Sequence, residues 1–136
     1  MDNKLIFPEE SYQIIGACMS VHRKLGNGFL ESVYQEALGK ELKTREIPFQ
    51  RHKRLNLYYD GEKLDKYFVA DFVCYEGIIL EIKAINFIAK SIEQQVINYL
   101  KSTDTELGLL VNFGEKSLTW KRFVNTPNHH NPHNMP

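Results

Sequence analysis

Three charged residues interrupt two neighbouring hydrophobic segments in the stretch ADFVCYEGIILEIKA, residues 70 to 84. Asp71 lies in the first segment, and Glu81 and Lys83 lie in the second. Because side chains alternate along a strand, Glu81 and Lys83 are expected on one face. Two carboxylates and a lysine in such a pattern are suited to binding a divalent cation and a phosphate group.

The turn between these two segments decides whether the two carboxylates meet. A two-residue turn would put Asp71 opposite Ile82 on the wrong face. A three-residue turn over residues 75–77 would pair Asp71 with Glu81 and would place Gly77 in the left-handed conformation. The position of the glycine favours the longer turn. We therefore predict that the two carboxylates face each other across adjacent strands.

Opposed like charges destabilise a sheet, so this arrangement requires a compensating cation. Mg²⁺ prefers one or two carboxylates together with waters and phosphate oxygens. We therefore predict Mg²⁺, with Mn²⁺ as a substitute, between Asp71 and Glu81, and Lys83 close to a phosphate or to the attacking water. The alternative is a solvated face on which the three charges form an ion-pair ladder of little energetic value.

The hydrophobic pattern elsewhere predicts the elements that position these residues. Two helices come first, one from Pro8 to Gly26 and one from about Leu30 to Arg45. Three or four strands follow up to Lys83, and a third helix, with Ser91 and Gln94 as a capping box, ends near residue 103. Two more strands, LGLLVNF and LTWKRFV, close the chain. The predicted fold class is α/β, with a central mixed β-sheet flanked by helices in the order ααβββ(β)αββ.

Further motifs strengthen the catalytic interpretation. The stretch GFLESVY, residues 28–34, matches the signature of the GxxExxY family, and the element order resembles the restriction-endonuclease-like core of the PD-(D/E)XK nuclease superfamily. The stretch QVINY, residues 95–99, is similar to the Gln-x-x-x-Tyr element of RecB-like members. The resemblance covers roughly residues 10–124. No proline precedes Asp71, although the superfamily name includes one.

The resemblance implies roles for individual residues. Asp71, Glu81 and Glu31 would bind the metal, Lys83 would assist the attacking water, and Gln95 and Tyr99 would join the catalytic set. Glu31 has an alternative role as an early-helix acid favoured by the helix dipole. For Gln95 and Tyr99, the alternative is a solvent-facing position on the helix.

Two further residue groups have simpler interpretations beside functional ones. Tyr34 falls on an apolar helix face, where we expect it to pack while its hydroxyl braces the site. Arg51, Lys53 and Arg54 in QRHKR are candidates for phosphate contacts, and a charged strand edge that discourages aggregation is the alternative.

These features predict a Mg²⁺-dependent nuclease, a phosphodiesterase acting on DNA or RNA. One alternative is a catalytically inactive nuclease-fold module that binds nucleic acid or another protein. Hydrolysis of a small nucleotide or another phosphoester is a third reading. The chain has 17 basic and 17 acidic residues, so contacts with nucleic acid must be local, and a homodimer or a partner protein would help to grip a duplex.

Length and composition set the remaining expectations. The 136 residues predict a single domain over residues 1–124, followed by a disordered Asn/His/Pro-rich tail over residues 125–136 whose histidines lack a scaffold for metal. No apolar run reaches the roughly 20 residues of a membrane span, and the first residues lack a secretory signal, which favours a cytoplasmic protein. Cys18 and Cys74 are expected as buried, reduced thiols.

Overall fold

The computed structural model describes residues 6–125, so the predicted tail from residue 126 onward lies outside the described part of the chain. The helices are α1 (Pro8–Leu25), α2 (Glu31–Thr44) and α3 (Lys90–Thr103). The strands are β1 (Phe49–Tyr59), β2 (Glu62–Cys74), β3 (Ile78–Lys83), β4 (Leu107–Asn112) and β5 (Thr119–Val124). Of the helices within residues 6–125, none combines the length and apolar character that a membrane span requires.

The five strands form one sheet in which neighbours follow the chain order. Strands β3 and β4 are parallel, and the other three neighbouring pairs are antiparallel. A parallel pair needs a crossover connection, and α3 supplies it. The predicted α/β fold with a central mixed sheet is therefore confirmed.

Helices cover both faces of the sheet and enclose two hydrophobic clusters. The α1–α2 face buries residues such as Ile14, Leu38 and Leu80. The α3 face buries residues such as Val96 and Ile79. This division matters for the site, because residues of α2 and residues of α3 approach the sheet from opposite sides.

The two cysteines agree with their sequence interpretation. Cys18 and Cys74 are both buried in the cluster under α1 and α2, and both thiols are free. Burial raises the pKa of each thiol well above its ordinary value. Both therefore act as small apolar core residues rather than as nucleophiles.

Helix ends follow the sequence in one case and depart from it in another. Helix α1 begins at Pro8 and is followed by Gly26, which has a φ of 73°. Helix α3 begins at Lys90, one residue before Ser91, and its N-cap residue Ala89 makes no side-chain cap. The predicted capping box was wrong because Ser91 already lies within the first turn.

The turn between β2 and β3 has the predicted length. Cys74 pairs with Ile78, so residues 75–77 form a three-residue turn. The expectation that Gly77 takes the left-handed conformation was wrong, since the two residues before it have φ values of 53° and 60°. The glycine serves close packing instead, because a Cβ there would lie 3.3 Å from the Phe7 ring.

A buried asparagine fastens the loop that follows β3. The Asn112 carboxamide bonds to both the N–H and the C=O of Ile85, accepts the Gly114 N–H, and donates to the Glu115 carboxylate. The Phe113 N–H also donates to the Lys83 carbonyl, at 2.8 Å. The end of β3, which carries Lys83, is thereby held to the end of β4.

We predict that Asn112→Ala lowers the free energy of unfolding by about 2–4 kcal/mol, because it leaves several buried polar groups unpaired. The matched control is Asn98→Ala, since Asn98 is exposed on α3 and bonds to Gln94. Urea denaturation measures both. If Asn112→Ala lowered the free energy of unfolding no more than Asn98→Ala does, Asn112 would not stabilise this loop as we infer.

Candidate active site

The sheet is interrupted at Asp71. The β1–β2 ladder skips His52 and Asp71, although the pairs on either side keep their register. The β2–β3 ladder ends at Phe72 and Leu80, one step before Asp71 would meet Glu81. His52 has a φ of 52°, which is uncommon for a residue with a side chain. Asp71 is therefore paired neither with β1 nor with β3.

Two carboxylates take over backbone hydrogen bonds at this interruption. The Asp71 N–H donates to Glu81 Oε2 at 2.8 Å, and the Ile82 N–H donates to Asp71 Oδ2 at 2.8 Å. Each carboxylate thus accepts an N–H of the opposite strand, which places both side chains in the gap between β2 and β3. The predicted meeting of Asp71 with Glu81 is what the structure shows.

A residue of α2 joins the carboxylates from one side. The Gln35 side chain is buried and donates to Glu31 Oε2 at 3.1 Å. Its Oε1 lies 3.0 Å from His52 Nε2, and the Gln35 side chain is near enough to Asp71 to oppose the rise in the pKa of that carboxyl group. Gln35 therefore connects the acidic residue at the start of α2 to the interruption in the sheet.

The three carboxyl groups of the site have raised pKa values. Burial, followed by the negative charge of Asp71, raises the pKa of Glu81 to about 8. Burial raises the pKa of Asp71, and burial together with the Asp71 charge raises the pKa of Glu31. The Lys83 charge acts in the opposite direction on all three pKa values without reversing them. Three carboxyl groups thus share one nearby ammonium group.

The start of α2 shows what the Gly-x-x-Glu-x-x-Tyr residues do physically. Gly28 has a φ of 111°, and Glu31 is the first residue of the helix. The Tyr34 hydroxyl donates to the Gly26 carbonyl at 2.5 Å and accepts the Phe29 N–H at 3.2 Å. The Tyr34 side chain is completely buried, as predicted, and its hydroxyl braces the loop that leads to Glu31.

The structure does not bring every predicted residue to the interruption. Tyr99 stacks on Phe68, with ring centroids 3.8 Å apart, in the cluster under α3. Gln95 is exposed on the same helix. In the described part of the chain, no hydrogen bond joins either residue to Asp71, Glu81, Glu31 or Lys83. Their catalytic roles remain predictions.

The three basic residues of QRHKR point to different surroundings. Arg51 lies over the Phe72 ring at 5.8 Å from its centroid, and its aliphatic part is close to α2. Arg54 lies over the Tyr67 ring at 3.7 Å. Lys53 is half-buried and pairs with Ala70, a residue of the α3 face. They form no single patch, and their contacts with substrate remain predictions.

Sequence reasoning missed Gln35 and His52. Gln35 follows Glu31 by four residues, a spacing that puts both on one face of α2, and this was the available signal. His52 lies inside QRHKR, between residues selected for their charge. Its contact with Gln35 depends on the local backbone conformation, which no sequence pattern indicated.

The donor set meets part of what a metal ion requires. Among residues 6–125, no group of three or more His, Cys, Asp or Glu side chains is arranged to hold a metal ion. Asp71 and Glu81 together are nevertheless the hard oxygen donors that Mg²⁺ takes in ones and twos. One oxygen of each carboxylate, Oδ2 of Asp71 and Oε2 of Glu81, accepts a backbone N–H. Carboxylate oxygens can bridge a backbone N–H and a cation, so the pair suits a divalent ion.

Comparison with known proteins agrees with this fold. The family profile of the PD-(D/E)XK nuclease superfamily matches residues 8–123, which is most of the chain. The chain belongs to this superfamily. No curated protein and no solved structure matched the chain in the same comparison. The narrower resemblance to the GxxExxY family and to RecB-like members remains a prediction.

The raised pKa of Glu81 predicts how stability depends on pH in metal-free protein. Protonated Glu81 is the favoured form in the fold, so its stabilising contribution is complete below pH 4.5 and is lost as pH rises through about 8. Glu81→Gln imitates the protonated form at every pH. The free energy of unfolding of the variant minus that of wild type should therefore increase by more than about 1 kcal/mol from pH 5 to pH 8.5.

Urea denaturation in EDTA at several pH values measures this gain. Glu36→Gln, an exposed substitution on α2, is the matched control and should follow the wild-type pH profile. Parallel pH profiles for wild type and Glu81→Gln would contradict the raised pKa.

Proposed function

We propose that this protein is a divalent-metal-dependent phosphodiesterase that cleaves nucleic acid at the interruption around Asp71. The observation that carries the proposal is the pair of hydrogen bonds across the gap between β2 and β3, in which the Glu81 carboxylate accepts the Asp71 N–H and the Asp71 carboxylate accepts the Ile82 N–H. Placing two half-buried carboxylates beside each other costs a protein stability. Membership of a nuclease superfamily supplies the reaction class that makes this cost useful.

The metal we propose is Mg²⁺, with Mn²⁺ as a substitute, held by Asp71 and Glu81. The fit rests on donor chemistry, because two half-buried carboxylates with raised pKa values lack sufficient positive charge around them. When bound, such a cation neutralises charge on the scissile phosphate and lowers the pKa of a coordinated water. Glu31, which interacts electrostatically with Asp71, would complete the acidic site.

Residues of the chain provide positioning and charge. Lys83 interacts electrostatically with Glu31, Asp71 and Glu81, so its ammonium group is available to orient the water or to stabilise charge on the phosphate. Gln35 hydrogen-bonds to Glu31, lies near Asp71 and would keep their relative position. In hydrolysis the water oxygen bonds to phosphorus while the bond from phosphorus to the leaving sugar oxygen breaks, the water gives up one proton and the leaving oxygen takes one up.

The test is a cleavage assay on single- and double-stranded DNA and RNA with Mg²⁺ or Mn²⁺, beside an activated small phosphodiester. We predict that wild type cuts at least one nucleic acid and that EDTA stops it. Asp71→Asn, Glu81→Gln and Lys83→Met should each lower kcat at least about 100-fold, since even groups that only support metal ligands are worth about 10–100-fold. Thermal unfolding checks that each variant folds.

Matched controls carry the same chemical changes elsewhere on the surface. Glu36→Gln and Lys40→Met remove an exposed acid and an exposed base from α2 and should leave kcat near the wild-type value. Cleavage that survives all three site substitutions, or that falls equally in the controls, would contradict the assignment. Cleavage of the small diester alone would contradict a nucleic acid substrate.

A further inference from the structure

The hairpin of β1 and β2 is longer than the rest of the sheet. Strands β1 and β2 contain 11 and 13 residues, whereas β3, β4 and β5 each contain six. Strand β2 leaves β3 at Asp71, so its first part is paired with β1 alone. Residues 62–67 of β2 are all exposed. The hairpin therefore extends from the site towards solvent.

One side of this hairpin is uncovered. On the α3 side, Phe68 and Ala70 are buried in a hydrophobic cluster. On the other side, the cross-strand pairs Arg54–Val69 and Asn56–Tyr67 are exposed, and cross-strand partners project from the same side of a hairpin. We refer to these four residues as the outer hairpin face.

An exposed stack of two side chains dominates the outer hairpin face. The Arg54 guanidinium lies 3.7 Å from the centroid of the Tyr67 ring, and Tyr67 remains 46% exposed. Guanidinium and aromatic planes are the two kinds of protein surface on which nucleobases stack. Arg54 is the basic residue of this face and residues 51–56 contain no acidic residue, so the positive charge beside the stack favours phosphates.

The outer hairpin face continues directly from the candidate active site. His52, which bonds to Gln35 beside Asp71, precedes Arg54 by two residues. Tyr67 precedes Asp71 by four residues, which at about 3.3 Å per residue is a separation of about 13 Å. A strand of nucleic acid whose phosphate lies at the site therefore reaches the stack within a few nucleotides.

We propose that the outer hairpin face binds unpaired nucleobases, and that the substrate is single-stranded DNA or RNA or a single-stranded end. This inference rests on the proposed function, which places a phosphodiester at Asp71 and Glu81. A paired base in a duplex hides both its faces against its neighbours, whereas an unpaired base can stack on the Arg54–Tyr67 pair. Stacking is tolerant of sequence, because every base has a π-face.

The test measures binding in EDTA, so that no cleavage occurs, by fluorescence anisotropy of a labelled oligonucleotide. The probes are single-stranded DNA, single-stranded RNA, a duplex, and an abasic strand that keeps the phosphates but lacks the bases. Tyr67→Leu should weaken binding of the single strands by roughly 5- to 150-fold, as expected for one lost base stack. Binding of the abasic strand should not change.

Further variants separate stacking from charge and from folding. Tyr67→Phe keeps the ring and should bind like wild type. Arg54→Lys keeps the charge but not the planar guanidinium, so it should weaken binding of normal single strands and leave binding of the abasic strand unchanged. Tyr12→Leu removes an exposed tyrosine from α1 and is the matched control. The inference is overturned if wild type prefers the duplex or binds no strand. It is equally overturned if neither Tyr67→Leu nor Arg54→Lys lowers the affinity for normal single strands more than the affinity for the abasic strand.

The failure of this inference and of the proposed function can be told apart. If Asp71→Asn abolishes cleavage while Tyr67→Leu changes neither binding nor cleavage, the inference about stacking is wrong and the nuclease assignment stands. If the base-dependent binding appears as described but wild type cuts nothing with any metal, the proposed function is wrong. In that case the outer hairpin face would be a binding surface of an inactive nuclease fold.

Discussion

The site depends on one exchange of hydrogen-bond acceptors. Where β2 and β3 separate, the N–H groups of Asp71 and Ile82 bond to side-chain carboxylates instead of backbone carbonyls. An unpaired N–H buried in a sheet would be costly, so the gap is stable only with acceptors of this kind. The same two carboxylates then lie near enough for the Asp71 charge to act on Glu81, in surroundings that raise the pKa of both. The sheet is opened at the position where the proposed chemistry requires two acidic oxygen donors.

The rest of the fold holds this opening in place from three directions. Helix α2 contributes Gln35 and Glu31, and the buried Tyr34 fixes the loop before them. The Asn112 carboxamide fastens the loop after β3, and α3 supplies the crossover that makes β3 and β4 parallel. Among residues 6–125 every buried side-chain nitrogen and oxygen has a hydrogen-bond partner, whereas the two carboxylates have raised pKa values. Such a contrast is expected of a functional site, where a local cost is offset by the surrounding structure.

Hydrophobic pattern and turn length were sufficient to predict much of this arrangement. The element order, the mixed sheet and the three-residue turn followed from periodicity and from the position of Gly77. The interruption itself was not predictable, because β2 keeps a continuous strand-like pattern through Asp71. His52 was missed for the same reason, since its contact with Gln35 lies at this interruption, whereas the spacing of Gln35 from Glu31 was a signal that could have been used. The capping box failed because α3 starts earlier than its best capping residue.

The central claim is that Asp71 and Glu81 form a site for a divalent cation. Calorimetric titration of wild type with Mn²⁺ at pH 7.5 tests it without requiring the right substrate. We predict saturable binding that weakens at least about 10-fold in both Asp71→Asn and Glu81→Gln and stays unchanged in Glu36→Gln. The claim would be contradicted if wild type bound no Mn²⁺. It would also be contradicted if Asp71→Asn and Glu81→Gln both bound Mn²⁺ with the affinity of wild type.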